Sequence, residues 1–145
     1  MTTLPTRTDY LAEAIAETGS GAQRLDNAQA RTLVSRVHDR FGLDLEYLFF
    51  WDTFTGDPNA IVRTHGWTLI GDYVGDAGCF LIVSEAESAW QFASGSDLVA
   101  VLHETPRFEF SVCDSEASYL ICFNHHNALI GWGAARNWVA RQPKL

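Results

Sequence analysis

The stretch FEFSVCDSEASYLICFNHHNALIGW, residues 108–132, decides the reading of the fold. Phe108, Phe110 and Val112 alternate with Glu109, Ser111 and Cys113, the period-two pattern of a strand with one solvated face. Tyr119 to Phe123 and Ala128 to Trp132 are apolar runs of strand length. Asn124-His125-His126-Asn127 lies between them, and four residues suit a hairpin loop.

The same pattern extends toward the N-terminus. Cys79 to Ser84 is the cleanest strand, Glu85 to Ser88 a turn, and Ala89 to Ala93 the returning strand of a second hairpin. Ser94-Gly95-Ser96-Asp97 supplies a loop and an N-cap. Leu98 to Glu104 then reads as a short helix that buries Leu98, Val101 and Leu102, and Pro106 stops it. Ile61 to His65 and Trp67 to Val74 read as strands or extended edges, broken by Gly66, Gly71 and Gly75. Thr55 to Asn59 and Asp76-Ala77-Gly78 are turn clusters. Leu43 to Phe54 fits either a strand or a short helix.

Helices occupy the two ends. Thr8 caps a first helix with Leu11, Ala14, Ile15 and Thr18 at helical spacing, and Gly19-Ser20-Gly21 ends it. Asp26 or Asn27 caps a second, whose stripe is Ala30, Leu33, Val34, Val37 and Phe41, with Gly42 as terminator. Arg31, Arg36, Asp39 and Arg40 lie on its opposite side. These helices, over 8–41, are expected to form an α-hairpin. A sheet-rich part over 43–133 and a last helix over 134–141 complete one domain spanning 1–145. The expected class is α+β, a mostly antiparallel sheet of five or six strands with a short helix near 97–104.

Composition narrows the function. The chain has 145 residues, 47% hydrophobic and 19% charged, a globular composition. Ten Lys and Arg against 18 Asp and Glu give a net charge of −8. Phosphate backbones are repelled by such a surface, which argues against nucleic acid and leaves a basic protein as a partner. The first ten residues lack the apolar run of a signal peptide, and no stretch approaches a membrane span. Cys79, Cys113 and Cys122 sit in strand-like runs without CxxC spacing, as buried reduced thiols do. A cytoplasmic protein without a cofactor is expected.

Candidate residues fall into two groups. Asp57, Asp72, Asp76 and Glu87 are loop carboxylates, read either as solvated loops or as a surface that steers a basic partner. Trp67 is the aromatic anchor nearest to them, and Trp67 and Trp138 are expected to be partly exposed. The second group is His125 and His126 with His65 or Asp114. As a metal site it would support a small metal-assisted hydrolase, although no zinc spacing or HExxH is present. The simpler reading is a turn whose Asn and His residues satisfy local backbone groups. The chain contains no GxSxG, GxGxxG or calcium-loop pattern.

Phe108-Glu109-Phe110, Asp114, Tyr119 to His126 and Leu129-Ile130-Gly131 together resemble small bacterial proteins that act as immunity partners of secreted toxins, such as the SUKH group. The resemblance covers about a fifth of the chain and carries over no catalytic residue. The Pro-then-Asn-Gly segment of that group is not found after the first helix. The resemblance implies a protein that occludes a toxin domain. Acidity, aromatic content and the lack of a catalytic set lead independently to a non-enzymatic binding protein. The alternatives are the hydrolase and a structural homo-oligomer subunit, of which a homodimer is the simplest form.

Overall fold

A computed structural model describes residues 7–42, 58–83, 88–106, 108–124 and 126–143. Leu43 to Phe54, Asp57, Glu87 and His125 lie outside the described residues. Among those described, seven strands form one sheet in the order β1-β4-β3-β5-β6-β7-β2, and each pairing is antiparallel. The strands are β1 (Gln23–Arg24), β2 (Asn59–Val62), β3 (Cys79–Val83), β4 (Ser88–Phe92), β5 (Phe110–Cys113), β6 (Tyr119–Phe123) and β7 (Ala128–Gly133). The helices are α1 (Arg7–Thr18), α2 (Asn27–Phe41), α3 (Ile70–Val74), α4 (Gly95–His103) and α5 (Arg136–Ala140). A 3-10 turn, Gly66–Leu69, leads into α3.

The two expected hairpins are present. Leu81 faces Trp90 across β3 and β4, and Ile121 faces Gly131 across β6 and β7. Strand alternation sends Leu81, Phe92, Val112, Ile121 and Leu129 to one face, where they pack with Leu11 of α1, Ile70 of α3, Leu98 of α4 and Val139 of α5. Ile82, Ala89, Cys113, Leu120, Cys122 and Trp132 go to the other face, where Ala30, Leu33 and Val37 of α2 cover them.

Both faces are therefore buried, which corrects the expectation for β5. All four of its residues are buried. Ser111 is 3% exposed, and its hydroxyl lies 3.1 Å from the Cys122 sulfur on the neighbouring strand. The polar side of the alternation meets a thiol under α2, not solvent.

The α-hairpin is not formed. α1 and α2 lie on opposite faces of the sheet. Gln23 and Arg24 pair with Gln91 and Trp90 at the sheet edge, and the Leu25 N–H donates to the Ala89 carbonyl at 2.9 Å. The chain rounds the edge there. Each helix has one narrow apolar stripe, and two sheet faces need cover, so each stripe buries more against strand side chains than against the other helix. This edge strand also raises the strand number from the expected five or six to seven. The ends of α2 agree with expectation. Asp26 forms a reciprocal capping box with Gln29, and Gly42 closes the helix at φ 70°.

The segment Trp67 to Val74 is helical, not extended. Its buried positions Ile70 and Val74 follow the buried Gly66 at spacings of four. That is a helical period, and it outweighs the β-leaning composition of the segment. Among the described residues no helix is long and apolar enough to cross a membrane.

Candidate functional site

α3 and α4 meet backbone to backbone at Gly71 and Gly95. A Cβ on Gly95 would come within 2.9 Å of Gly71 Cα, so only glycine permits this crossing. The Gly95 N–H donates to the Gly75 carbonyl at 2.8 Å. Ser94 caps α4 by accepting from the Asp97 N–H at 3.2 Å. Ser20, just after α1, donates to Asp97 Oδ2 at 2.9 Å. On the other side Tyr73 stacks on Trp138 of α5, rings 4.9 Å apart at 19°. The order across this face is thus α1, α4, α3, α5.

Acidic side chains collect on the first three. Asp9, Glu13 and Glu17 are exposed on α1 at spacings of four. Asp72 and Asp76 are exposed on and just after α3, Glu104 is exposed at the end of α4, and Asp97 is half-buried. No Lys or Arg occurs between Arg7 and Arg24 or between Arg63 and Arg107. Arg7 opens α1 and Arg136 opens α5, and further arginines lie on α2 and at the sheet edge. Arg31, Arg36 and Arg40 are exposed on α2, across the sheet, and Arg36 donates to the Ser115 carbonyl at 2.6 Å. Arg24 sits over the Trp90 ring, 5.9 Å from its centroid. The α1–α4–α3 layer is thus rich in exposed acids, while α2 across the sheet mixes Arg31, Arg36 and Arg40 with exposed Asp26 and Asp39.

At the end of α4 the layer opens into a cleft of about 510 Å³. Its walls include His65, Trp67, His103, Phe108, Phe110 and Phe123. Trp67 meets His103 edge-on at 5.6 Å. The Phe110 ring lies 5.7 Å from Phe108 and 6.2 Å from Phe123, both tilted. The volume falls within the range of small-molecule sites.

The sequence-derived residues divide accordingly. Asp72, Asp76 and Trp67 lie on one continuous segment of the acidic layer, with Trp67 half-buried at the mouth of the cleft. Trp138 is half-buried as well. The histidine group is not brought together with Asp114. Asp114 sits in the β5–β6 turn, where its carboxylate accepts from the Ser118 N–H at 2.7 Å and from the Ser118 hydroxyl. His126 sits in the β6–β7 turn, at the other end of β6, about 15 Å of strand away. His65 is near His126 along the sheet edge, since the Arg63 N–H donates to the Asn127 carbonyl at 3.0 Å, but His65 lines the cleft. Among the described residues no group of three His, Cys, Asp or Glu side chains could hold a metal ion.

The β6–β7 turn has its own structural account. Asn124 is 5% exposed, and its Oδ1 accepts from the N–H groups of His126 and Ala128 at 2.9 and 3.1 Å. Asn127 takes φ 61°, a conformation asparagine tolerates well. The cysteines are inert for a related reason. Burial pushes the thiols of Cys79 and Cys122 up to about 12, and that of Cys113 upward too. Thiolate, the nucleophilic form, is scarce at neutral pH.

Two features escaped the sequence reading. The acidic stripe of α1 was visible as Asp9-Glu13-Glu17 at helical spacing, as was the cation-free run from Thr64 to Pro106. The cleft was not visible, because three separate segments build it. No family model matches the chain, and no curated protein or solved structure is significantly similar to it.

Proposed function

We propose that this is a non-enzymatic binding protein whose α1–α4–α3 layer covers a basic surface on another protein, with a toxin domain as the partner class. The observation that carries this reading is the set of exposed acids on that layer. Asp9, Glu13, Glu17, Asp72, Asp76 and Glu104 are exposed there, and no Lys or Arg occurs in residues 8–23 or 64–106. Like charges four apart on a helix are destabilising by about 0.2–0.5 kcal/mol per pair. The α1 stripe has such a step from Glu13 to Glu17. A partner that neutralises them gives that cost back on binding, and the field speeds its approach.

The same reading accounts for the cleft's position beside the layer and for the inert thiols. Occlusion needs a rigid complementary surface and no reacting group. The cytoplasm is the compartment in which three reduced thiols persist without disulfides.

The test is capture of basic proteins from a bacterial lysate at low and high salt, followed by rate measurements on the recovered protein. The association rate is expected to fall steeply as salt rises, with dissociation changing less. An association rate independent of salt would contradict the electrostatic mechanism.

A further inference from the structure

We propose that the cleft at the end of α4 is a binding site for a planar aromatic carboxylate of one or two rings. Its ring would lie against the half-buried Phe108 and Trp67, backed by the buried rings of Phe110 and Phe123, and its carboxylate would take hydrogen bonds from the imidazoles of His65 and His103. The inference uses residues distinct from the carboxylates of the acidic layer and stands or falls separately.

Three observations define the ligand. First, the wall is aromatic and the space suits a small molecule: the tilted rings of Phe108, Phe110 and Phe123 border about 510 Å³. Flat rings gain edge and offset contacts on such a wall. Second, among the described residues no Asp or Glu lines the cleft. An anionic group entering here meets no carboxylate on the wall, in contrast to the outer side of the layer.

Third, the hydroxyl protons on the wall are already committed. Thr68 Oγ1 donates to the His65 carbonyl at 2.7 Å, and Thr105 Oγ1 donates to the Leu102 carbonyl at 2.8 Å. Among the described residues, the remaining polar side chains are the imidazoles of His65 and His103 and the indole of Trp67. Each carries an N–H, so the wall can supply three donors to an acceptor group of a ligand. His103 is held in place by its edge contact with the Trp67 ring. A carboxylate is the acceptor that gains most, because charge-assisted hydrogen bonds are the stronger ones.

The experiment is a titration of the isotope-labelled protein with indole-3-acetate, indole-3-acetamide and tryptamine, followed by nuclear magnetic resonance. The three share one ring system and differ in the group presented to the imidazoles. Saturable shifts are expected at the Trp67 indole N–H and at His103 and Phe108, with indole-3-acetate binding tightest. The acetamide is expected to bind at least about tenfold more weakly, the loss of one charge-assisted contact. His103→Phe keeps a ring against Trp67 and removes the N–H. It is expected to weaken the acetate about tenfold and leave the acetamide nearly unchanged, at an unaltered melting temperature. Equal binding of acid and amide, tighter binding of tryptamine, shifts confined to another surface, or no saturation would each overturn the proposal.

Discussion

Replacing Gly95 by alanine tests the joint that sets the acidic layer and the cleft in place. The added Cβ would fall on the Gly71 carbonyl oxygen and lie 2.9 Å from Gly71 Cα and 3.0 Å from its carbonyl carbon. Carbon atoms in contact prefer about 3.5–4.0 Å, so α3 and α4 must separate by roughly 0.6–1 Å. The obstacle is backbone on both sides, and no rotamer change relieves it. Overpacking of this kind costs about 1–3 kcal/mol. Alanine returns about 0.4–1 kcal/mol by restricting the unfolded chain. The net loss is expected to be about 1–2 kcal/mol, which for a chain of this length lowers Tm by about 2–8 °C. Thermal and urea unfolding followed by circular dichroism measure it, with the urea slope unchanged. Gly71→Ala should cost less, because its closest clash, at 2.9 Å, is with the Val99 side chain. A Gly95→Ala protein as stable as the parent would refute the backbone contact between α3 and α4.

Other expectations follow from single interactions. Asn124→Ala removes the acceptor of two part-buried N–H bonds and is expected to cost about 1–2 kcal/mol in urea unfolding. Asp26→Ala removes the α2 cap and should cost about 0.5–2 kcal/mol, with no effect on the opposite face. The three thiols should resist a thiol reagent in the native protein at pH 8 and react only on unfolding, as timed labelling would show. Their raised values make stability pH-dependent. The unfolded chain releases these protons near pH 9 and the native protein retains them, so stability is full below pH 9 and falls above it. The slope is up to about 1.4 kcal/mol per pH unit for each thiol, and burial of Tyr119 adds to it above pH 10. Urea titrations between pH 8 and 11 would reveal the decline, and a flat profile would contradict thiol burial.

Much of the fold was legible where chemistry is local. The β3–β4 and β6–β7 hairpins could be read because apolar runs were punctuated by turn residues, and α2 because Asp26 and Gly42 mark both ends. Periodicity told which residues of α1 and α2 are buried but not against which face. Only the two-residue edge strand, which carries no apolar pattern, separates them. The α3 segment was misread because Trp, Ile, Tyr and Val favour strands, while the fourfold spacing of Gly66, Ile70 and Val74 was the better guide. Ser111 looked solvated because sequence does not show that a second layer covers the sheet. Asp72 and Asp76 were legible as exposed carboxylates. The separation of His126 from Asp114 follows from the length of β6 and was implicit in the hairpin itself.

The most direct test of the acidic layer compares three baits in the same lysate. One is the parent protein, one carries Glu13→Lys, Asp72→Lys and Asp76→Lys, and one carries Arg31→Glu and Arg40→Glu on the opposite face. Surface changes of this kind leave stability nearly unaltered, within about 0.5 kcal/mol each. The expected result is a basic protein retained by the parent and by the α2 variant and lost from the layer variant. Equal recovery on all three baits, or loss only from the α2 variant, would contradict the account.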